Sequence, residues 1–263
     1  MKLMIANKTR FAIFVSIFHN LSKFSDSINI YFTDERLYIQ GMDNSHCSMF
    51  EIQILADWFT TYECEESVTI GITSSVLYRV LNTHDENQNV FMGCEKDGCN
   101  LNIQFKNTKE NQKSFPKEFE IPLMDIETEL LHVPESEYEV TIKMPIKSFS
   151  TVVDQLSIFG DNMNVEINDE PLMNLSSNGH EGKMCVNMMS ENMDCVDEFI
   201  ITTGVNISLQ YSLKYIQLFT NFSKVNKDVM LKMSNGIPME VFFDLDESEG
   251  SFARFFLAPR IDD

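Results

Sequence analysis

Displaced by 135 positions, the chain overlays itself: Phe14, Leu21, Ser22, Phe24, Asp26, Asp34, Glu35 and Leu37 fall on Phe149, Leu156, Ser157, Phe159, Asp161, Asp169, Glu170 and Leu172. Positions at helical spacing and positions at strand spacing coincide together, so one structural unit is used twice. Solenoid repeats run to roughly 20 to 50 residues. A much longer period occurring twice marks a duplicated domain, and 263 residues suit two domains of ordinary size. Hydrophobic residues make up 43%, with 21 Phe, which is enough apolar material for two cores without disulfides or metals.

Forty acidic residues against twenty basic ones give a formal charge of −20, which argues against a general nucleic-acid coat. Salt screens charge over roughly 8 Å, so a basic face turned away from acidic surface still attracts phosphate. Net charge alone therefore leaves the partner open. The six cysteines (Cys47, Cys64, Cys94, Cys99, Cys185 and Cys195) lack CxxC pairing and a histidine at zinc-site spacing. Cys94 and Cys99 bracket a turn and could face each other across a hairpin, but reduced thiols in an intracellular protein are the expectation. No apolar run approaches the ~18 to 20 residues of a membrane span, and residues 1–9 are too polar for a secretory leader.

Phe11, Phe14, Val15, Phe18 and Leu21 recur at helical spacing behind Asn7 and Thr9 as candidate caps, predicting a helix over residues 9–23. Alternation then predicts a hairpin from Ile28, Ile30 and Phe32 to Leu37 and Ile39, and a further strand through Phe50, Ile52 and Ile54. A strand over 68–72, a helix over 74–82 and a hairpin of 90–94 with 101–105 complete the first half. The second half repeats the scheme: a helix over 147–159 behind Pro145, strands through Met163 to Ile167 and Leu172 to Leu175, a helix over 209–222, and strands over 229–233 and 239–243. Helices set on much antiparallel sheet make an α+β architecture. Between the halves, residues 122–138 are acidic and Pro-bounded, and they fit neither period. They read as an extended connector whose Leu130, Leu131 and Val133 lean on a surface groove.

Four segments carry a resemblance. They are Gln40 to Ser48 (QGMDNSHCS), the connector from Leu123 to Tyr138, Lys143-Met144-Pro145, and the terminal Leu257-Ala258-Pro259-Arg260-Ile261-Asp262. In this order and spacing they resemble the proliferating cell nuclear antigen family of DNA sliding clamps, over essentially the whole chain. The resemblance implies two similar clamp domains over 1–122 and 139–263, joined by a connector over 123–138. It also implies a homotrimeric ring with sheets outside and helices lining a channel for double-stranded DNA, held without sequence preference. Such clamps act as polymerase processivity factors in DNA replication and repair, are opened by a separate clamp loader, recruit partners through a short PIP-box peptide, and work in the nucleus, or at a cytoplasmic replication site if viral. They need no cofactor or metal and catalyse nothing. No GxxxxGK[ST], GxGxxG or nucleophile-base spacing is present in the sequence.

By similarity, Met42, His46, Cys47, Met49, Leu131, Val133, Pro134, Tyr138, Pro238, Phe256, Leu257, Ala258, Pro259 and Ile261 form the partner-peptide pocket. The alternative reading of Met42, Met49 and Leu257 is ordinary core. Lys8, Arg10, Lys23, Arg79, Lys147, Lys214, Lys224 and Lys227 lie on or beside the expected helices, where a ring turns them to phosphates. Val15, Ser16, Thr151, Asp154 and Asn221 stand where family members are often basic, which makes a less positive channel. Phe119, Ile121 and Leu123 at the end of the first domain are expected to meet Met184 and Val186 of a neighbouring copy, edge to edge, with Pro122 weakening that edge. Asp169 stands where many clamps carry a modifiable lysine. Asp244, Asp246, Glu247 and Glu249 read as an exposed acidic loop. Two other readings remain: a clamp relative acting as a monomer, dimer or heterotrimer subunit of a checkpoint-type ring, and a metal-dependent nuclease.

Overall fold

Asn7 begins the first helix by accepting hydrogen bonds from Thr9 N at 2.9 Å and Arg10 N at 3.1 Å, two of the donors that a helix start leaves open. A computed structural model of the chain describes every residue except 44, 96–97, 110–113, 169–171, 190–195, 203, 247–249 and 261–263. Asp169, Glu170, Cys195, Glu247, Glu249 and Ile261 therefore lie outside the described residues. The elements run β1 (Lys2–Ile5), α1 (Lys8–Phe24), β2 (Ser27–Phe32), β3 (Arg36–Met42), β4 (Ser48–Leu55), β5 (Thr61–Glu63), β6 (Val68–Thr73), α2 (Ser74–Leu81), β7 (Gln88–Gly93), β8 (Asn100–Asn107) and β9 (Lys117–Pro122). They continue with β10 (Val140–Pro145), α3 (Ile146–Leu156), β11 (Asn162–Asn168), β12 (Leu172–Gly179), β13 (Gly182–Met189), β14 (Glu198–Ile201), β15 (Ile207–Ser212), α4 (Leu213–Thr220), β16 (Asp228–Met233), β17 (Met239–Asp244) and β18 (Phe252–Leu257).

The chain divides into two compact units. The first holds Met1–Asn44, Phe50–His132 and Asp244–Ala253; the second holds Ser45–Met49, Val133–Phe243 and Arg254–Asp263. Their wiring is the same. In the first unit β2 pairs with β3 and β6, and β1 lies between β5 and β7; in the second β11 pairs with β12 and β15, and β10 lies between β14 and β16. All of these pairings are antiparallel. The α+β expectation holds, and α1 packs with α2 as α3 does with α4.

The 135-residue register is a register of burial. Phe14 and Phe149 are both fully buried, as are Leu21 and Leu156, so equivalent faces of α1 and α3 close equivalent cores. In the first unit Phe14, Phe18, Trp58 and Phe59 cluster around α1, with the Phe14 and Phe18 rings edge to face at 4.8 Å. In the second, Phe219, Phe222, Phe243 and Phe255 stack behind α4.

One expected helix is a strand at its start. Residues 207–212 form β15, and the helix begins only at Leu213. Ile207 and Tyr211 are buried at even spacing and pair with Ile167 and Met163 of β11. The helical series Leu213, Ile216, Phe219 had absorbed Leu209 because four residues back fits both periods. The third helix stops at Leu156 rather than 159. Beyond it the chain passes so close to β12 that a side chain on Gly160 would meet Asn178 O at 2.7 Å. Strands β1, β5, β10, β14 and β18 were not anticipated: most are short, and β18, FARFFL, does not alternate cleanly.

Replacing Phe149 with Ala should cost about 3 to 5 kcal/mol, as cavities left by buried aromatics do. Chemical denaturation followed by far-UV circular dichroism measures it.

Candidate functional site

The connector is held by two side chains and one backbone carbonyl of the first unit, and each reaches it from a strand. On β2 the buried Asn29 donates from Nδ2 to Ile126 O at 2.9 Å and to Thr128 Oγ1 at 2.7 Å. On β3 Gln40 grips the backbone of Leu131 at two points, with Nε2 to Leu131 O at 2.8 Å and Leu131 N to Oε1 at 2.7 Å. That amide is itself oriented, because Gln40 Nε2 also donates to Tyr38 Oη at 3.1 Å, and Tyr38 donates to Glu51 Oε1 at 2.9 Å. On β6 Met124 N donates to Gly71 O at 2.8 Å. A Cβ on Gly71 would overlap the Met124 carbonyl oxygen and lie 2.9 Å from the Ile126 side chain, so the close approach requires glycine.

Past β9 the connector forms no helix or strand beyond the single Met124 to Gly71 bridge, in keeping with its composition. Its leucines do not lean into a groove. Leu130 and Leu131 remain 51% and 46% exposed, because backbone hydrogen bonds rather than apolar side chains hold the segment. Leucines kept in water on a fixed backbone offer anchor points to a partner. Met42, of the same unit, is half-buried at the end of β3.

The second unit gathers most of the other expected pocket residues. His46 takes a left-handed backbone, φ 56°, in the turn before β4, and Cys47 beside it is exposed. Cys47 O accepts from Ala258 N at 3.0 Å, which ties this turn to the chain after β18. That terminal segment is fixed further along by Arg260, whose N donates to Gln210 O at 2.7 Å and whose Nη1 donates to Asn162 Oδ1 at 2.7 Å. Ala258, Pro134 and Pro238 are exposed, while Met49, Val133, Tyr138 and Pro259 are half-buried. Leu257 is 1% exposed and Phe256 9%, so both are core side chains beneath this surface. Burial first, then the charge of the Glu240 carboxylate, pushes the Tyr138 hydroxyl far above the usual tyrosine range.

The cations beside the helices divide into two kinds. Lys8, Lys23, Arg79, Lys147, Lys214, Lys224 and Lys227 are exposed. Arg10 is not available in the same way. Its Nη1 donates to Trp58 O at 2.6 Å and its guanidinium lies 5.6 Å from the Trp58 ring centre, so it fastens α1 to the segment before β5. Val15 is half-buried, Ser16 buried, and Thr151, Asp154 and Asn221 exposed.

Each unit also ends a sheet in an edge strand: β9 in the order β5-β1-β7-β8-β9, and β13 in the order β13-β12-β11-β15. Leu123 N donates to Cys99 O at 2.8 Å, so by strand alternation Ile121 and Phe119 also turn their backbone groups inward to β8. The outward groups belong to Glu118, Glu120 and Pro122. The outer edge therefore lacks a donor at Pro122. Ile121 is 4% exposed and Phe119 packs edge to face with Phe105, so these side chains serve their own unit first. Leu123, Met184 and Val186 are half-buried.

Cys47, Cys64, Cys94, Cys99 and Cys185 carry free thiols, and burial raises the Cys64 and Cys94 thiols above their ordinary value. Among the described residues no group of three or more His, Cys, Asp or Glu is placed to hold a metal ion, and no helix is long and apolar enough to cross a membrane. Asp244 is exposed and Asp246 half-buried. Asn29 and Gly71, which hold the connector, were not singled out from the sequence. Their signal was a polar residue and a glycine interrupting apolar strands.

Residues 4–130 match the family model described as proliferating cell nuclear antigen, N-terminal domain, and residues 132–260 match the one for the C-terminal domain. Among curated relatives, a proliferating cell nuclear antigen of Chaetomium thermophilum is 30% identical over 232 residues, covering 88% of this chain and 87% of its own length. Proliferating cell nuclear antigen 2 of Plasmodium falciparum is 26% identical over 258 residues, covering 95% and 96%.

Gly71→Ala should loosen the connector, since the added methyl displaces Met124. Limited proteolysis would report it as cleavage within residues 123–131 that is at least several-fold faster than in the parent chain.

Proposed function

The chain belongs to the proliferating cell nuclear antigen family and is a DNA sliding clamp, and from that premise we propose that three copies close head to tail into a ring around double-stranded DNA. The observation that carries this reading is the pair of edge strands, β9 in the first unit and β13 in the second. Pairing of unlike edges is a heterologous contact, which closes when its rotation divides a full turn. Residues 1–122 and 139–263 are the two clamp domains and 123–138 the connector. DNA is held by enclosure: ionic contacts strong enough to retain it would impede sliding and weaken steeply with salt. Seven exposed cations per chain, Lys8, Lys23, Arg79, Lys147, Lys214, Lys224 and Lys227, then suffice as weak phosphate contacts, with Arg10 reserved for the fold.

The ring serves a DNA polymerase as its processivity factor, recruits it and other clients by PIP-box peptides, and is opened by a clamp loader. The peptide meets the surface of the second unit bearing His46, Cys47, Val133, Pro134, Tyr138, Pro238, Ala258 and Pro259. The chain performs no catalysis itself. It works where DNA is replicated, in the nucleus or at a cytoplasmic site if viral.

Static light scattering at micromolar concentration should give the mass of three chains; a mass of one or two would exclude the homotrimer. With trimers in hand, Lys214→Glu together with Arg79→Glu should lower stimulation of a polymerase on primed circular DNA by at least several-fold while leaving the mass unchanged. Equal stimulation would place these side chains away from DNA.

A further inference from the structure

Behind Tyr138 lies an ion pair for which the proposed activities provide no use. Lys232 on β16 and Glu240 on β17 are direct cross-strand partners, with Lys232 Nζ 3.1 Å from Glu240 Oε1. Glu240 is 4% exposed. The same ammonium lies 5.8 Å from the centre of the Tyr138 ring and 5.3 Å from that of Phe242. One carboxylate thus holds a cation that is close to two aromatic rings, and one of those rings belongs to the candidate peptide surface.

With its carboxylate buried and its lysine still partly in water, the pair is a poor device for stability, because the cost of desolvating the carboxylate offsets the attraction. What it supplies is geometry. A tyrosine ring has two side-chain torsions to fix. A cation held against its face by the Glu240 carboxylate restrains the plane of the ring. A half-buried ring held in this way does not have to be ordered when a ligand arrives, which is the usual origin of affinity gained without new contacts.

We propose that Glu240 and Lys232 are positioning residues of the peptide surface, holding the Tyr138 ring in its receptive orientation before the peptide binds. The inference rests on the pocket reading above and deepens it.

The test is peptide affinity in the full chain, measured by fluorescence anisotropy with a labelled PIP-box peptide carrying aliphatic and aromatic anchors, alongside thermal melting. Removing both charges together, Lys232→Met with Glu240→Val, strands neither one and should leave the melting temperature near that of the parent while weakening the peptide about tenfold. Glu240→Gln keeps the side-chain shape but releases the Lys232 ammonium, and should weaken the peptide at least threefold. Tyr138→Leu should weaken binding at least threefold, and removing both charges from that chain should cost nothing more, because without the ring nothing is left to position. Parent-like affinity in the charge-free chain, or losses that simply add, overturns the positioning role and leaves the pocket standing. A parent chain that binds no PIP-box peptide overturns the pocket, and this inference with it. Should the charge-free chain fold poorly, Glu240→Gln decides alone, and unchanged affinity there overturns the proposal.

Discussion

Burial of one apolar helix stripe is the constraint on which each unit depends. Phe14, Ile17, Phe18 and Leu21 on α1, and Phe149, Val153 and Leu156 on α3, are removed from water almost completely. At roughly 25 cal/mol per Å² of apolar surface, side chains of this size contribute on the order of 2 kcal/mol each before entropy is counted. The remaining surface of these helices is free of that duty. It carries lysine, serine, threonine, the aspartate Asp154 and a few apolar side chains.

Fixing the core on one face leaves the proposed partner surface to be built from irregular chain, and here hydrogen bonds take over. The connector is acidic and too poor in apolar residues to bury itself. Asn29, Gln40 and Gly71 therefore satisfy its backbone from three neighbouring strands, and its leucines stay in water. In the second unit the chain after β18 is held the same way, through Cys47, Gln210 and Asn162.

The charge balance fits a protein that holds DNA by closure. A formal charge of −20 would oppose adsorption to DNA along a whole surface. The exposed cations beside the helices are few, one acidic residue, Asp154, lies exposed among them, and Arg10 is committed to Trp58. Weak contacts of this kind are what an encircling clamp tolerates and an adhering protein does not.

Much of this was legible beforehand because burial imposes periodicity. Equivalent stripes 135 residues apart gave the duplication and, in outline, all four helices. The acidic, aperiodic composition of the connector gave its extended form, and four matched segments gave the family. The start of β15 was misread because Leu209 satisfies two periods at once, and β1, β5 and β14 were missed because three or four residues are too short to establish one. What folding alone decided was orientation: that Leu131 points to water, that Leu257 points inward, that Arg10 turns to Trp58, and that Glu240 and Lys232 meet behind Tyr138. Those outcomes depend on which distant strand each side chain meets, and periodicity along a single chain carries no record of that.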